Sequence, residues 1–340
     1  MKRTILYVVL AFIVAPIFVS CYQSHKKKLD LAYALVESRP DSALALMKHI
    51  DQEGLSKEEM AKYALTYYIA QDKSGLDLDN DSLIRIAYDW YEGHQEDSLY
   101  VLCLNYMGKF YLLVDSMEQA KSCLEKAYFI SDSLHKMNVK RLVLDKLIEV
   151  EEQLAPYKAL NYAKALVKMY DSMANVTIYN KVAARLRLGE NFFYVDSLQH
   201  ALEEERKAYR IAMKAGDSNL LSYVRQNLAS TFEEIGEKDS CLYYARLAYD
   251  LNAANRFSCL LTFASAYISV DSLNQAFSLL NQAMPKTAED RYSVFYFQSQ
   301  AAMKAHDFKS AKSFSDSAYH YLEDMYRTAL QGKAAYYTSF

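Results

Sequence analysis

The 340-residue sequence predicts an all-α protein, an α-solenoid of about eight stacked helical hairpins. Three observations predict it. A pattern of small residues recurs six times at fixed spacing. Only eight Gly and four Pro interrupt the chain. Period-two alternation bounded by glycine-rich turns, the mark of strands, is absent.

The repeat is anchored on Gly108, set at position 8 of a roughly 34-residue unit. Ala120 then stands at position 20, Leu124 at 24 and Ala127 at 27. Gly189, Ala201 and Ala208 repeat the spacing, as do Ala229, Cys241 and Ala248, then Ala264, Ala276 and Ala283, then Ser299, Ala311 and Ala318. Leu147, Ala159 and Leu166 follow it more loosely. Position 11 is aromatic in four units: Tyr111, Phe192, Phe232 and Tyr267. Small residues facing one another let two helices approach closely. Anchors are separated by 39, 42, 40, 35 and 35 residues while the internal register holds, so the extra residues lengthen helix ends or links.

These positions resemble the tetratricopeptide repeat family. The stretch LCLNYMGKFYLLVDSMEQAKSCLEKAYFIS carries its Gly, Tyr, Ala and Ala positions. It departs where the family has Trp, here Leu104, and where it has Pro, here Asp132. The missing Pro predicts a second helix that runs on. The resemblance implies a superhelix whose first helices line a concave groove.

Taken in order, residues 1–20 read as a leader. Met1-Lys2-Arg3 is basic, Ile5 to Val19 is apolar, and Phe18-Val19-Ser20-Cys21 follows. This order resembles a bacterial lipoprotein signal peptide, which implies cleavage before Cys21 and acylation of its thiol. Phe18 stands where that motif usually has Leu. An uncleaved anchor helix and a plain secretory signal are the alternatives. Each turns the array away from the cytosol. The expected location is the cell envelope, lipid-anchored and facing the periplasm, with Tyr22 favouring the outer membrane.

Residues 21–28 form a basic tether with Lys26-Lys27-Lys28, either solvated or set against anionic headgroups. Residues 29–95 read as degenerate hairpins. The first breaks at Arg39-Pro40-Asp41, where Pro suits a first helical turn and Asp41 or Ser42 can cap. The second opens at Ser56, an N-cap with Glu59 placed for a capping box. Residues 96–323 are the repeat array, and 324–340 a C-terminal capping helix or tail, with no second domain.

A narrower resemblance rests on RPDSALALMKHID and DNDSLIRIAYDWYE. These phrases are similar to Bacteroidetes tetratricopeptide proteins in which the array is a sensor ahead of a membrane helix and a signalling module. Residues 322–340 contain no apolar run near the ~20 residues a span needs, so the sensor-type array alone is expected.

A net charge of −3 argues against a nucleic-acid surface. Cys103, Cys123, Cys241 and Cys259 could form two bridges. Their repeat positions favour free core thiols, since Cys241 takes the place of a packed Ala. No zinc helix, nucleophile elbow, Walker loop or dinucleotide fingerprint occurs, so no catalytic residue, metal ligand or cofactor is expected. Glu203-Glu204-Glu205 reads as a solvated helix face. The 30 Tyr and 15 Phe serve packing or an aromatic groove. In the resembled family, groove-facing positions would be Asn105, Lys109, Glu190, Phe193, Tyr223, Gln226, Ser230, Tyr296 and Gln300. The expected partner is a protein or peptide held in that groove, at a membrane reached through the lipid anchor. A sensory array signalling through a separate membrane regulator is the alternative.

Overall fold

The computed structural model describes residues 26–338 apart from 77, 79–80, 95–97, 135–136 and 252. The leader and Cys21 lie outside the described residues. The described residues form sixteen helices and no strand. They are α1 (26–35), α2 (Pro40–Met47), α3 (Lys57–Lys73), α4 (Ser82–Tyr91), α5 (Ser98–Leu113), α6 (Met117–Ser133), α7 (Met137–Leu154) and α8 (Pro156–Ser172). They continue as α9 (Ile178–Tyr194), α10 (Leu198–Ala215), α11 (Ser218–Ile235), α12 (Lys238–Tyr249), α13 (Arg256–Ser269), α14 (Leu273–Asn281), α15 (Ala288–Lys304) and α16 (Phe308–Thr338). In chain order these are eight successive helix pairs. Contacts divide the chain into two compact units, 1–150 and 151–340, with the division inside α7.

Small residues sit where helices meet. A Cβ added to Gly108 would lie 2.6 Å from Leu124 Cγ, so the α5–α6 crossing needs a residue without one. At Gly189 the same atom would meet Glu205 Cγ at 3.2 Å and the Ala201 carbonyl oxygen at 3.4 Å. Ala120, Ala127, Ala159, Ala201, Ala208, Ala229, Cys241, Ala248, Ala264 and Ala276 are all buried. Ala283 departs from the pattern: α14 ends at Asn281, and Ala283 stands half-buried in the following link.

The spacings have a simple cause. Second helices α6, α8 and α10 have 17 or 18 residues, whereas α12 has 12 and α14 has nine. Asp132 lies inside α6, which runs on where the resembled family has Pro.

Five hairpins turn in one way. Asp115, Asp196, Asp271 and His306 have φ between 54° and 60°, and Gly236 has φ 84°. After each, an amide reaches back five residues: Ser116 N–H donates to the Tyr111 carbonyl, Ser197 to Phe192, Glu237 to Phe232, Ser272 to Tyr267 and Asp307 to Ala302. This is the Schellman closure, which satisfies carbonyls at the end of the first helix. Asp tolerates the left-handed region better than most residues. The triplet Val-Asp-Ser therefore recurs at three turns.

Helix starts agree in part. Ser56 and Glu59 form the capping box of α3. Pro40 occupies the first turn of α2, but the N-cap is Arg39, and neither Asp41 nor Ser42 serves.

Candidate functional site

In the unit 151–340, first helices lie side by side. α9 touches α11, α11 touches α13, and α13 touches α15. Second helices pack within their own hairpin and onto the next first helix, as α10 does on α11 and α12 on α13. Helices that adjoin on one side only place that side inside the curve of this unit.

Polar side chains link this inner face. Asn191 Nδ2 donates to Glu152 Oε1 at 2.8 Å, and Arg187 reaches Glu152 Oε2 at 3.1 Å. Gln226 on α11 donates to Ser258 and, at 3.3 Å, to Thr262 on α13; its carbonyl accepts from Asn255 at 2.8 Å. Ser265 donates to Glu233 at 2.7 Å.

The nine sequence-derived positions divide among these surroundings. Tyr223, Ser230, Tyr296 and Gln300 are exposed on α11 and α15. Gln226 braces α11 against α13. Phe193 is half-buried, with its ring edge-on to Tyr194. Glu190 is half-buried; burial pushes its carboxyl above the usual carboxylate range, and Arg187 acts against that. Asn105 and Lys109 belong to the other unit. Lys109 pairs with Asp72 of α3. Asn105 is enclosed, because α5 is apolar all round and buries nine of its residues. That composition was readable in SLYVLCLNYMGKFYLL.

One reading is overturned. Glu203, Glu204 and Glu205 do not share a solvated face: Glu204 is 9% exposed and Glu205 2%. Successive helical residues are rotated by about 100°, so three in a row cannot all face water on a packed helix. Arg185 holds Glu204 Oε2 at 2.8 Å and grips Asp171 through 2.8 and 2.9 Å contacts. Glu205 accepts from Thr231 Oγ1 at 2.7 Å on Oε1, and its Oε2 is buried without a partner. Burial pushes this carboxyl up to about 7, against the Thr231 bond that lowers it. The register held the signal: Glu205 occupies position 24, where Leu124 packs against Gly108.

No disulfide joins the four described cysteines. Burial pushes the Cys241 thiol up to about 12 and the Cys123 thiol up to about 11, which leaves both protonated and unreactive at neutral pH. Among the described residues no cluster of His, Cys, Asp or Glu is arranged to hold a metal ion. No described helix is long and apolar enough to cross a membrane. An open pocket of about 620 Å³ lies between α10 and α12, lined by Arg206, Phe232, Tyr243 and Tyr244 among others. Tyr244 stacks on Phe232 at 5.5 Å, so much of its aromatic surface is already used.

No protein-family model and no curated protein matches the chain. Solved structures do. The apo form of RapI superposes with a TM-score of 0.69 at 14% identity, over 92% of this chain and 95% of that one. A Signal Transduction ATPase with Numerous Domains from Pyrococcus horikoshii, described as having a tetratricopeptide repeat sensor, gives 0.63 at 12% identity, over 92% of this chain and 48% of that one. NprR in complex with its cognate peptide NprX gives 0.57 at 14% identity, over 85% of this chain and 86% of that one. The shared feature is the fold, a tetratricopeptide-type solenoid of stacked hairpins.

Proposed function

We infer that the chain is a non-catalytic scaffold that binds a protein or peptide on the inner face of residues 151–340. One observation carries this reading. Tyr223, Ser230, Tyr296 and Gln300 stand exposed on first helices that the Gln226 bridge and the α13 contacts hold in line. Aromatic and hydrogen-bonding side chains at helical spacing suit an extended peptide or a partner helix. NprR, which shares the fold, is seen with its cognate peptide. The apolar leader and Cys21 support a lipid tether facing the periplasm. A tethered groove gains effective concentration toward other membrane-held proteins.

A second reading is a sensory array that signals through a separate membrane regulator. The Pyrococcus horikoshii likeness to a tetratricopeptide repeat sensor favours it.

The test is site-specific photocrosslinking in the native membrane. A crosslinker at Tyr223 or Tyr296 should capture a partner that one at Tyr243 on α12 or Tyr157 on α8 does not. Capture only from α8 and α12 would overturn the inner-face reading. A captured membrane regulator would select the sensory one.

A further inference from the structure

The hairpins stack through a recurring contact. The residue after the buried small position of the second helix is Tyr128, Tyr209 or Tyr249 in three hairpins. Each ring is covered by a cation from the following first helix: Lys140 over Tyr128 at 4.8 Å, Arg225 over Tyr209 at 5.9 Å and Arg256 over Tyr249 at 4.2 Å. Rings add to it, with Tyr244 at 6.0 Å from Tyr209 and Phe263 at 5.7 Å from Tyr249. A cation seated on a Tyr face is thus a contact shared by three of the hairpin junctions.

Tyr319 is the same position in the last hairpin. It follows Ala318, which is buried, and is itself 67% exposed. It opens a stripe on α16. Leu322, Tyr326 and Leu330 are also exposed, and their spacing of three and four residues puts all four on one side of the helix. Helix α16 thus leaves exposed the position that is half-covered at Tyr128, Tyr209 and Tyr249, and adds two Leu and a Tyr beside it.

We propose that this stripe pairs with a second copy of itself, two α16 helices lying antiparallel about a two-fold axis between Leu322 and Tyr326. Two features select a second copy over an unrelated helix. The stripe reads Tyr-Leu-Tyr-Leu, so an antiparallel copy places each Tyr opposite a Leu. Glu323 and Arg327 flank it on one side and bond each other only loosely, at 3.6 Å within the helix. The same two-fold axis sets the Glu323 of each copy about two residues along from the Arg327 of the other, within reach of both side chains. It also brings that Arg within a turn of Tyr319, supplying the cation that Lys140, Arg225 and Arg256 supply elsewhere. A two-fold interface of this kind is self-complementary and closes.

Sedimentation velocity on the full chain, with all variants in one detergent, tests the pairing. The wild type should shift from monomer to dimer mass as concentration rises. Leu322→Glu should stay monomeric. Arg327→Glu should weaken the dimer about tenfold, because two-fold symmetry doubles each charge pair. The swap Glu323→Arg with Arg327→Glu should restore it, which association with a different protein would not require. All three substituted positions are exposed, so melting temperatures should match at concentrations where the wild type is monomeric. A wild type monomeric at every concentration, a Leu322→Glu chain that dimerises like wild type, or a swap that fails to restore dimer overturns the proposal.

Discussion

Glu205 makes the sharpest test of the packing, because replacing it with Gln keeps the shape and removes the titration. Its carboxyl is moved from 4.5 to about 7, burial being the main cause and the nearby Glu190 adding to it. With only 2% of the residue exposed, solvent screens little of this effect. A shift of that size corresponds to about 3 kcal/mol, at about 1.4 kcal/mol per pH unit. The folded value lies above the unfolded one, so the folded state holds the proton more tightly. The stabilisation is complete below pH 4.5 and is lost as pH rises through about 7. Glu205→Gln should match wild type near pH 4.5 and exceed it by about 3 kcal/mol at pH 8. Urea unfolding followed by circular dichroism across that range measures the gap. The lone tryptophan, Trp90, lies in the other unit, so its fluorescence reports a region the substitution should leave unchanged. A gap that is flat with pH, or a variant no more stable than wild type at pH 8, refutes the assignment.

Four further outcomes are expected. Gly108→Leu should cost about 1–3 kcal/mol, read as a lower urea midpoint, because its Cβ would fall on the Leu124 side chain; an unchanged midpoint would contradict the α5–α6 crossing. Arg185→Met should cost about 3 kcal/mol, since it removes the 2.8 Å partner of Oε2 on the largely buried Glu204; calorimetry showing no loss of melting temperature would show that Lys207, which holds Glu204 Oε1 at 2.5 Å, alone suffices. Gly236→Ala, where φ is 84°, should cost about 1 kcal/mol although nothing stands within 4 Å of the new carbon; equal stability would mean the turn can relax. Cys21→Ser should abolish metabolic labelling with a fatty acid and leave residues 1–20 attached, and a wild-type membrane protein whose intact mass includes the leader would refute lipidation.

The register was legible because it depends on contacts every hairpin repeats. Gly108, Gly189 and the buried alanines follow from the need of two helices to cross closely, and that need leaves a period in the sequence. Glu204 and Glu205 were misread because residue type was weighed before position. A carboxylate is usually solvated, but position 24 points inward whatever fills it. Asn105 was counted to the groove face from the anchor; the structure places it at 6% exposure on α5, a largely apolar helix that buries nine of its residues. Gln226 was named from the same count, but its hydrogen-bond partners on and beside α13, Asn255, Ser258, Cys259 and Thr262, come from another repeat, and no local pattern announces them.

The shrinking second helices have a mechanical consequence. Helices this short do not persist alone in water. α14, with nine residues, is therefore held in shape by α13 before it and α15 after it, both of which it touches. The link behind it carries Pro285 and a Met284 that is almost wholly exposed, so little anchors that side. A pull transmitted through α15 and α16 would extend this segment before the long hairpin α9–α10 yields. Within residues 151–340 the shortest helix, α14, is thus placed between the Gln226-braced helices and the α16 stripe.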